Sequence, residues 1–297
     1  MNHKLTPSTA LLLTIPPILW AGNAIVGRMV HKAVPPMTLN FLRWAIALMI
    51  LLPLASFIFR RDSRLWTSWR RFALLGLLGV GIYNALQYLA LQSSTPINVT
   101  LVASSMPVWM LLIGALFFRA KVSRKQIVGA GLSIAGVLIV LSRGEWQQLL
   151  AMRLVLCDIF MILATITWSF YSWLLTLPND PPEIRRDWAA FLLAQVAFGV
   201  VWSGAFAAGE WMVTDAHLSL SWSLAAALAY VAVGPAIIAF RCWGAGVQRV
   251  GPSIAGFFSN LTPFFAAILS SFFLGELPHL YHIAAFALII GGIAFSS

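Results

Sequence analysis

The sequence predicts an all-α polytopic membrane protein, with ten transmembrane helices arranged as two inverted five-helix repeats around a central cavity. Three observations predict it. The 297 residues are 60% apolar and 9% charged, with a mean hydropathy of +0.88, whereas charged residues make up about a quarter of a soluble globular chain. Apolar runs near 20 residues long recur along the chain with short polar punctuation, the signature of bilayer-spanning helices. Basic residues gather in alternate links between those runs, as they do where links stay in the cytoplasm.

The runs fall at 8–29, 37–58, 72–92, 96–118, 124–142, 155–177, 187–208, 222–243, 251–274 and 279–296. Each is expected to be helical, because backbone amides and carbonyls in hydrocarbon must be satisfied within the segment. The first run is read as a true span and not a secretory leader ending near Ala21-Gly22-Asn23-Ala24. Lys4 is its lone basic flank, and its apolar stretch exceeds a signal core. The links near Ser93–Pro96 and Gly275–Pro278 are so short that the spans they join must be antiparallel neighbours.

With the N-terminus in the cytoplasm, 14 basic residues fall inside: Lys4; Arg60, Arg61, Arg64, Arg70 and Arg71; Arg119, Lys121, Arg124 and Lys125; Arg185 and Arg186; Arg241 and Arg249. Only 4 fall outside (Arg28, Lys32, Arg143, Arg153), and Arg43 lies within a span. The external links carry the acids Glu145, Glu210, Asp215 and Glu276. Both termini are therefore expected in the cytoplasm. The net charge of +10 records this topology and calls for no nucleic-acid partner. Cys157 and Cys242 have no metal or redox spacing and read as small apolar fillers.

Sliding the chain on itself by 156 residues sets Gln92 on Gln248, Pro96 on Pro252, Pro107 on Pro263, Phe117 on Phe273 and Gly136 on Gly292. Leu132/Leu288 and Ile134/Ile290 also match but weigh little in so apolar a chain. An offset of 148 sets Trp20 on Trp168. Residues 1–145 and 150–297 thus read as two repeats. Five spans is an odd number, so the second repeat enters the membrane upside down. The charges agree: four basic residues follow span four and none follows span nine. Inverted repeats allow two bundles to exchange conformations about a midplane site.

Polar and aromatic groups within spans are the default pathway candidates. Span three carries Tyr83, Asn84, Gln87 and Tyr88, paired at four-residue spacing on a broad face. Span six carries Asp158, Thr165, Trp168 and Ser172, with Tyr171 beside them. Span one adds Trp20 and Asn23, span four Ser104, Ser105 and Trp109, and span nine Asn260. For single serines and threonines, bonding between helices is the better explanation, whereas the Tyr/Asn/Gln cluster on span three points to the cavity. Rings offer surfaces for an aromatic or large apolar side chain; amides and hydroxyls can hold an ammonium and a carboxylate by dipoles. Arg43 either meets a carboxylate or braces helices. Asp158 either carries a coupling proton or is held by the helix N-terminus nearby. Pro107 and Pro263, near the middle of matched spans, are expected to act as hinges, since proline removes a backbone bond. Gly131-xxx-Ala135 and Ala287-xxx-Gly291 in spans five and ten should permit close packing, within one chain or in a homodimer.

Enzyme chemistry finds no footing. There is no His-Glu-x-x-His and no Gly-x-x-x-x-Gly-Lys-Ser/Thr. Asp158 stands alone where an intramembrane aspartyl protease needs two carboxylates, and His3, His31, His217, His279 and His282 sit in links or at span ends. No cofactor or metal is called for. A channel or scaffold stays open on sequence alone.

The stretch Ile18-Leu19-Trp20-Ala21-Gly22-Asn23-Ala24-Ile25-Val26-Gly27-Arg28 resembles the opening of the drug/metabolite transporter superfamily, EamA type, as does Phe41-Leu42-Arg43-Trp44. Pro263, Leu274-Gly275-Glu276 and Gly291-Gly292 resemble the end of an EamA repeat. The first half departs from this, with Arg119-Ala120 where the second has Gly275-Glu276. The abundance of Trp, Phe and Met is similar to the YddG-type exporters of aromatic amino acids. The resemblance implies a bacterial inner-membrane exporter of small molecules such as amino acids, with a cavity lined by spans one, three, four, six, eight and nine. It also implies a bracing role for Arg43, because the family keeps this arginine in one setting whatever the substrate. A multidrug or other metabolite carrier of the same superfamily is the alternative. Sugar nucleotides are disfavoured, since only Arg43 lies deep and Arg241 near one end.

Overall fold

The computed structural model describes residues 5–93, 102–142, 156–274 and 280–296, with Val99, Glu145, Gln147 and Leu150. All regular structure among them is helical: α1 (Pro7–Val30), α2 (Pro36–Phe59, its last turn tightened), α3 (Trp69–Gln92), α4 (Met106–Phe117), α5 (Arg124–Leu141), α6 (Leu156–Leu174), α7 (Trp188–Val213), α8 (Trp222–Val250), α9 (Pro252–Phe258), α10 (Leu261–Leu274) and α11 (Leu280–Ser296), with short helical pieces between them such as the single turn Pro182–Arg185 before α7. Of the described helices, α1, α2, α3, α7 and α8 are each long and apolar enough to cross a membrane, and shorter apolar helices accompany them. The expected Pro96/Pro252 match, and Arg143, Arg153, Gly275 and Glu276, involve positions outside the described residues, as does the side chain of Asp158.

Local chemistry starts the helices. The Thr6 hydroxyl accepts from Thr9 N and Pro7 opens α1; Asp187 Oδ1 accepts from Ala189 N and Ala190 N at α7; Ser221 Oγ accepts from Leu224 N at α8. Each cap supplies an acceptor to orphan amides of a first turn. At α2 the cap position is Pro35, which has no side-chain acceptor. There Glu210 of α7 reaches across, its carboxylate accepting from Met37 N at 3.0 Å and Thr38 N at 2.9 Å.

Packing pairs α2 and α3 with α7, α3 also with α6, α1 with α8 and α10, α4 with α6 and α9, and α5 with α11. Glycines set several of these distances. A Cβ on Gly76 would sit 2.6 Å from the Gln195 carbonyl, and one on Gly292 would sit 2.6 Å from the Gly129 carbonyl. The close α5–α11 contact thus runs along Gly129, Ser133 and Gly136. The small-residue pairs singled out in the sequence are turned away from it: Gly131, Ala135 and Ala287 are exposed, and nothing lies within 4 Å of a Cβ placed on Gly131 or Gly291. The helical face next in register, and not the predicted one, makes the intrachain seam.

Two departures from regular helix bear on the site and its motion. Both α3 and α8 widen into π-helix, at Gly76–Ile82 and Ala232–Ile238, a feature that clusters at functional sites. Spans four and nine, expected to bend at their prolines, turn instead at Ser104–Ser105 and Ser259–Asn260. Pro107 and Pro263 lie in the first turn of the helices that resume there, not at the bend itself. The reason is that proline withholds the amide that would bond the carbonyl four residues back, so the helix loosens one turn earlier. At each break a serine hydroxyl takes up a carbonyl, Ser105 to Val102 O and Ser259 to Gly256 O, both at 2.6 Å.

The surface is that of a protein dissolved in lipid. Leu11, Met49, Leu116, Val201 and Met212 are all exposed. Except for Trp202 within α7, the exposed tryptophans stand near helix ends, Trp66, Trp69 and Trp188 on one side and Trp211 and Trp222 on the other, as rings do at membrane interfaces. This is a multi-pass α-helical membrane protein.

Candidate functional site: a ring cluster beside a buried arginine

Trp168 of α6, fully buried, is the hub of an aromatic cluster. Its ring centroid lies 4.6 Å from Tyr83 of α3, 4.9 Å from Tyr171, 5.1 Å from Phe240 and 5.7 Å from Trp243 of α8, and 5.3 Å from Trp20 of α1, which it meets edge-on. Trp20 also meets Trp243 at 5.3 Å. Such spacings are those of mutually attractive ring pairs. Helical periodicity explains the convergence: Phe240 and Trp243 are three apart on α8, and Trp168 and Tyr171 three apart on α6, so each pair shares a face. The rings themselves fill the space between the four helices.

A polar knot adjoins them. Arg43 of α2 is fully buried. Its Nη1 donates to Asn84 Oδ1 at 3.0 Å, Tyr88 Oη at 2.9 Å and Asn23 Oδ1 at 3.3 Å. The Tyr88 hydroxyl donates to Asn23 Oδ1 at 2.8 Å. One arginine thus ties α2 to α1 and α3. Knot and rings touch twice along the chain: Asn84 follows Tyr83, and Trp44, next to Arg43, meets Phe240 edge-on at 4.8 Å. The Arg43 guanidinium also lies 5.2 Å from the Trp44 ring centre. Asn40, one turn earlier on α2, donates to the carbonyls of Val80 and Gly81 in the π segment of α3, fixing its position.

The residues singled out in the sequence divide accordingly. Trp20, Asn23, Tyr83, Asn84, Tyr88, Trp168 and Tyr171 come together, with Gln87 buried one turn from Tyr83 on α3. Several are taken up by hydrogen bonds, to neighbouring helices or within their own. The Tyr171 hydroxyl donates to Gln195 Oε1 at 2.9 Å, Ser172 Oγ accepts from Trp243 Nε1 at 3.0 Å, and Asn260 Nδ2 donates to Ser133 Oγ at 2.9 Å. Trp109 Nε1 donates to Ser105 Oγ at 3.1 Å across the break before α4, where Ser104 is buried, and Thr165 bonds its own helix at Ile162 O. Sequence reasoning missed Trp44, Phe240, Trp243 and Gln195. The i, i+3 pair on span eight was the available signal; Gln195 had none, being one polar residue in a long apolar helix.

Comparison with known proteins agrees with this picture. The EamA-like transporter family matches residues 7–142 and again 155–297. An uncharacterized inner membrane transporter of Escherichia coli, YedA, is 26% identical over 87% of this chain and 80% of its own. The aromatic amino acid exporter YddG of Ancylobacter novellus is 25% identical over 98% of this chain and 97% of its own. A solved crystal structure with 21% identity superimposes with a TM-score of 0.73, covering 99% of this chain and 97% of that one, a likeness of fold. The chain belongs to the EamA-like transporter family and is a membrane transporter, not an enzyme.

Proposed function

We propose that this transporter exports aromatic and other large neutral amino acids across the inner membrane by alternating access, with both termini in the cytoplasm. Its ten spans would form two inverted five-helix halves, residues 1–145 and 150–297. The π segments support the repeat, because Gly76–Ile82 and Ala232–Ile238 stand 156 residues apart at both ends, the offset that aligns Pro107 with Pro263. The two breaks before those prolines and the two successive family matches support it as well.

The observation that carries the substrate reading is the ring cluster around Trp168. Rings from α1, α3, α6 and α8 meet there, so moving one half against the other exposes ring faces. A substrate side chain can then take the place of a departing ring, recovering about 0.5–1.5 kcal/mol per pair beyond burial. Asn23, Asn84, Gln87 and Tyr88 supply neutral dipoles beside it. Ser104, Trp109, Tyr171, Ser172 and Asn260 join the binding surface as the bonds across the helices open.

The test is counterflow of labelled phenylalanine and tryptophan in proteoliposomes. The wild type should show saturable counterflow. Trp168→Ala should lower its rate at least ~10-fold, with Trp168→Phe intermediate, because phenylalanine keeps a ring at the hub. Unchanged counterflow in Trp168→Ala removes the site, and no counterflow by the wild type removes the substrate class.

A further inference from the structure

Six buried side-chain polar atoms among the described residues have no hydrogen-bond partner: Asn40 Oδ1, Asn260 Oδ1, Arg43 Nε, Arg43 Nη2, Trp44 Nε1 and Trp168 Nε1. The four nitrogens are all donors, and all belong to the cluster around Trp168. A buried donor left unmade is costly. Arg43 lies against the Trp44 ring, and Trp44 and Trp168 both pack on Phe240, so one acceptor entering there can serve more than one of these donors.

The arginine defines what that acceptor is. Covalent geometry puts Nε–H and Nη2–H on the same edge of the guanidinium plane, parallel and side by side. The three bonds to Asn23, Asn84 and Tyr88 all use Nη1, at the other side of the group. The bracing bonds therefore hold the guanidinium fixed and leave its two-pronged edge unengaged. That edge matches the two oxygens of a carboxylate. Charge points the same way. Arg43 takes no part in the ion pairs among the described residues, and its bonded acceptors are neutral amide and phenol oxygens. A cation taken fully out of water demands compensation that neutral dipoles supply only in part. A single negative charge arriving with the substrate supplies the remainder. Bracing and binding are thus one arrangement: Nη1 positions, Nε and Nη2 receive.

We propose that the Nε/Nη2 edge of Arg43 is the carboxylate anchor of the transported molecule, with the indole N–H groups of Trp44 and Trp168 as flanking donors. The transporter then selects monocarboxylates and zwitterions over the corresponding amines and amides. This rests on the proposed export function for the side chain of the substrate, but not for its carboxylate.

The experiment compares ligands that differ only in that group. Phenylalanine, leucine and indole-3-acetate are set against phenylalaninamide, leucinamide and indole-3-acetamide, in counterflow and in thermal stabilisation of the purified protein. The carboxylates should be preferred at least about tenfold, the discrimination that loss of a charge-assisted two-pronged pair produces. Arg43→Lys should keep a weakened preference, since it retains charge without the fork, and Arg43→Gln should lose it. If acids and amides are carried equally well by the wild type, the Arg43 assignment falls while the export reading stands. If carboxylates stabilise the protein in an Arg43-dependent way yet no aromatic amino acid is carried, the anchor stands and the export reading falls. Stabilisation by chloride alone, with no response to any carboxylate, overturns the anchor. The wild-type comparison decides the question even where a substitution at Arg43 prevents folding.

Discussion

Single side chains carry unequal weight in this molecule, and Asp180 illustrates how much one can carry. Its carboxylate is wholly inaccessible and is gripped by both Arg71 and Arg185. The arginines also donate to the carbonyls of Leu174, Leu175 and Leu177, at and just past the end of α6, where carbonyls run short of helical partners. One acid thus lets two cations stay where the chain leaves α6. Asp180→Asn removes the charge and keeps the shape, leaving two guanidiniums on one neutral side chain. A cost of about 3–5 kcal/mol is expected for breaking such a buried arrangement. It should register as a lowered melting temperature of the purified protein in detergent. Combining Asp180→Asn with Arg71→Gln should cost less than the two separate losses together, since the double variant removes one uncompensated charge. Additive losses would show that the three groups act independently. None of this was legible from sequence, where Asp180 sits in a loop of prolines and acids. By contrast Asn23, Arg43 and the Tyr83-Asn84 pair stood out there, because polar groups inside apolar runs need a reason. What the runs concealed was direction. Ser172, Asn260 and Tyr171 have the right chemistry, yet bond to other helices, and only the packing reveals that.

At the level of helices, discontinuity is what the hydropathy pattern hides. A 20-residue apolar run reads the same whether its helix is continuous, widened or broken, because burial from lipid depends on composition and not on hydrogen-bond register. Hence some spans were legible to within a few residues, for example 37–58 against Pro36–Phe59 and 72–92 against Trp69–Gln92, whereas 222–243 stopped well short of Trp222–Val250. Their interruptions at Ser104–Ser105 and Ser259–Asn260 were legible only as a matched pair of prolines. These breaks lie where α4 crosses α9: a Cβ on Gly256 would lie 2.9 Å from Met110 Cγ and 3.5 Å from Pro107 Cα. Two helices that loosen one turn before a proline, and touch near those points, can pivot without losing further backbone bonds. Replacing Pro107 and Pro263 with alanine returns an amide to each and lets the helices run on. The double variant should bind ligand as the wild type does, by thermal shift, and turn over several-fold more slowly in counterflow. Normal turnover would mean that the prolines do not serve as hinges. Slowed turnover together with lost binding would place them in the site instead of the hinge.

For the molecule as a whole, the decisive quantity is parity. If each half has five spans, a residue and its counterpart 156 positions later lie on opposite faces of the membrane. Charge already argues for this: if the ten expected spans all cross, 14 basic residues fall on one side and 4 on the other, and lysine and arginine in short links resist translocation. Arg64 and Leu220 are such a pair. Both are well exposed, Arg64 with 70% of its side chain accessible and Leu220 at 84%. The 3.9 Å contact of Arg64 with Glu183 is a surface ion pair, worth at most about 1 kcal/mol, so its loss leaves the fold intact. In a background with Cys157 and Cys242 replaced by serine, single cysteines at Arg64→Cys and Leu220→Cys can be probed with a membrane-impermeant maleimide on intact cells. Leu220→Cys should label at once, whereas Arg64→Cys should label only after permeabilisation. The reverse pattern would keep the inverted repeat and turn the protein over, sending both termini outside. Labelling of both from one face would require an even number of crossings between them. That single result would dissolve the two-half architecture, and with it the exchange of conformations by which the ring cluster is proposed to open first to one side and then to the other.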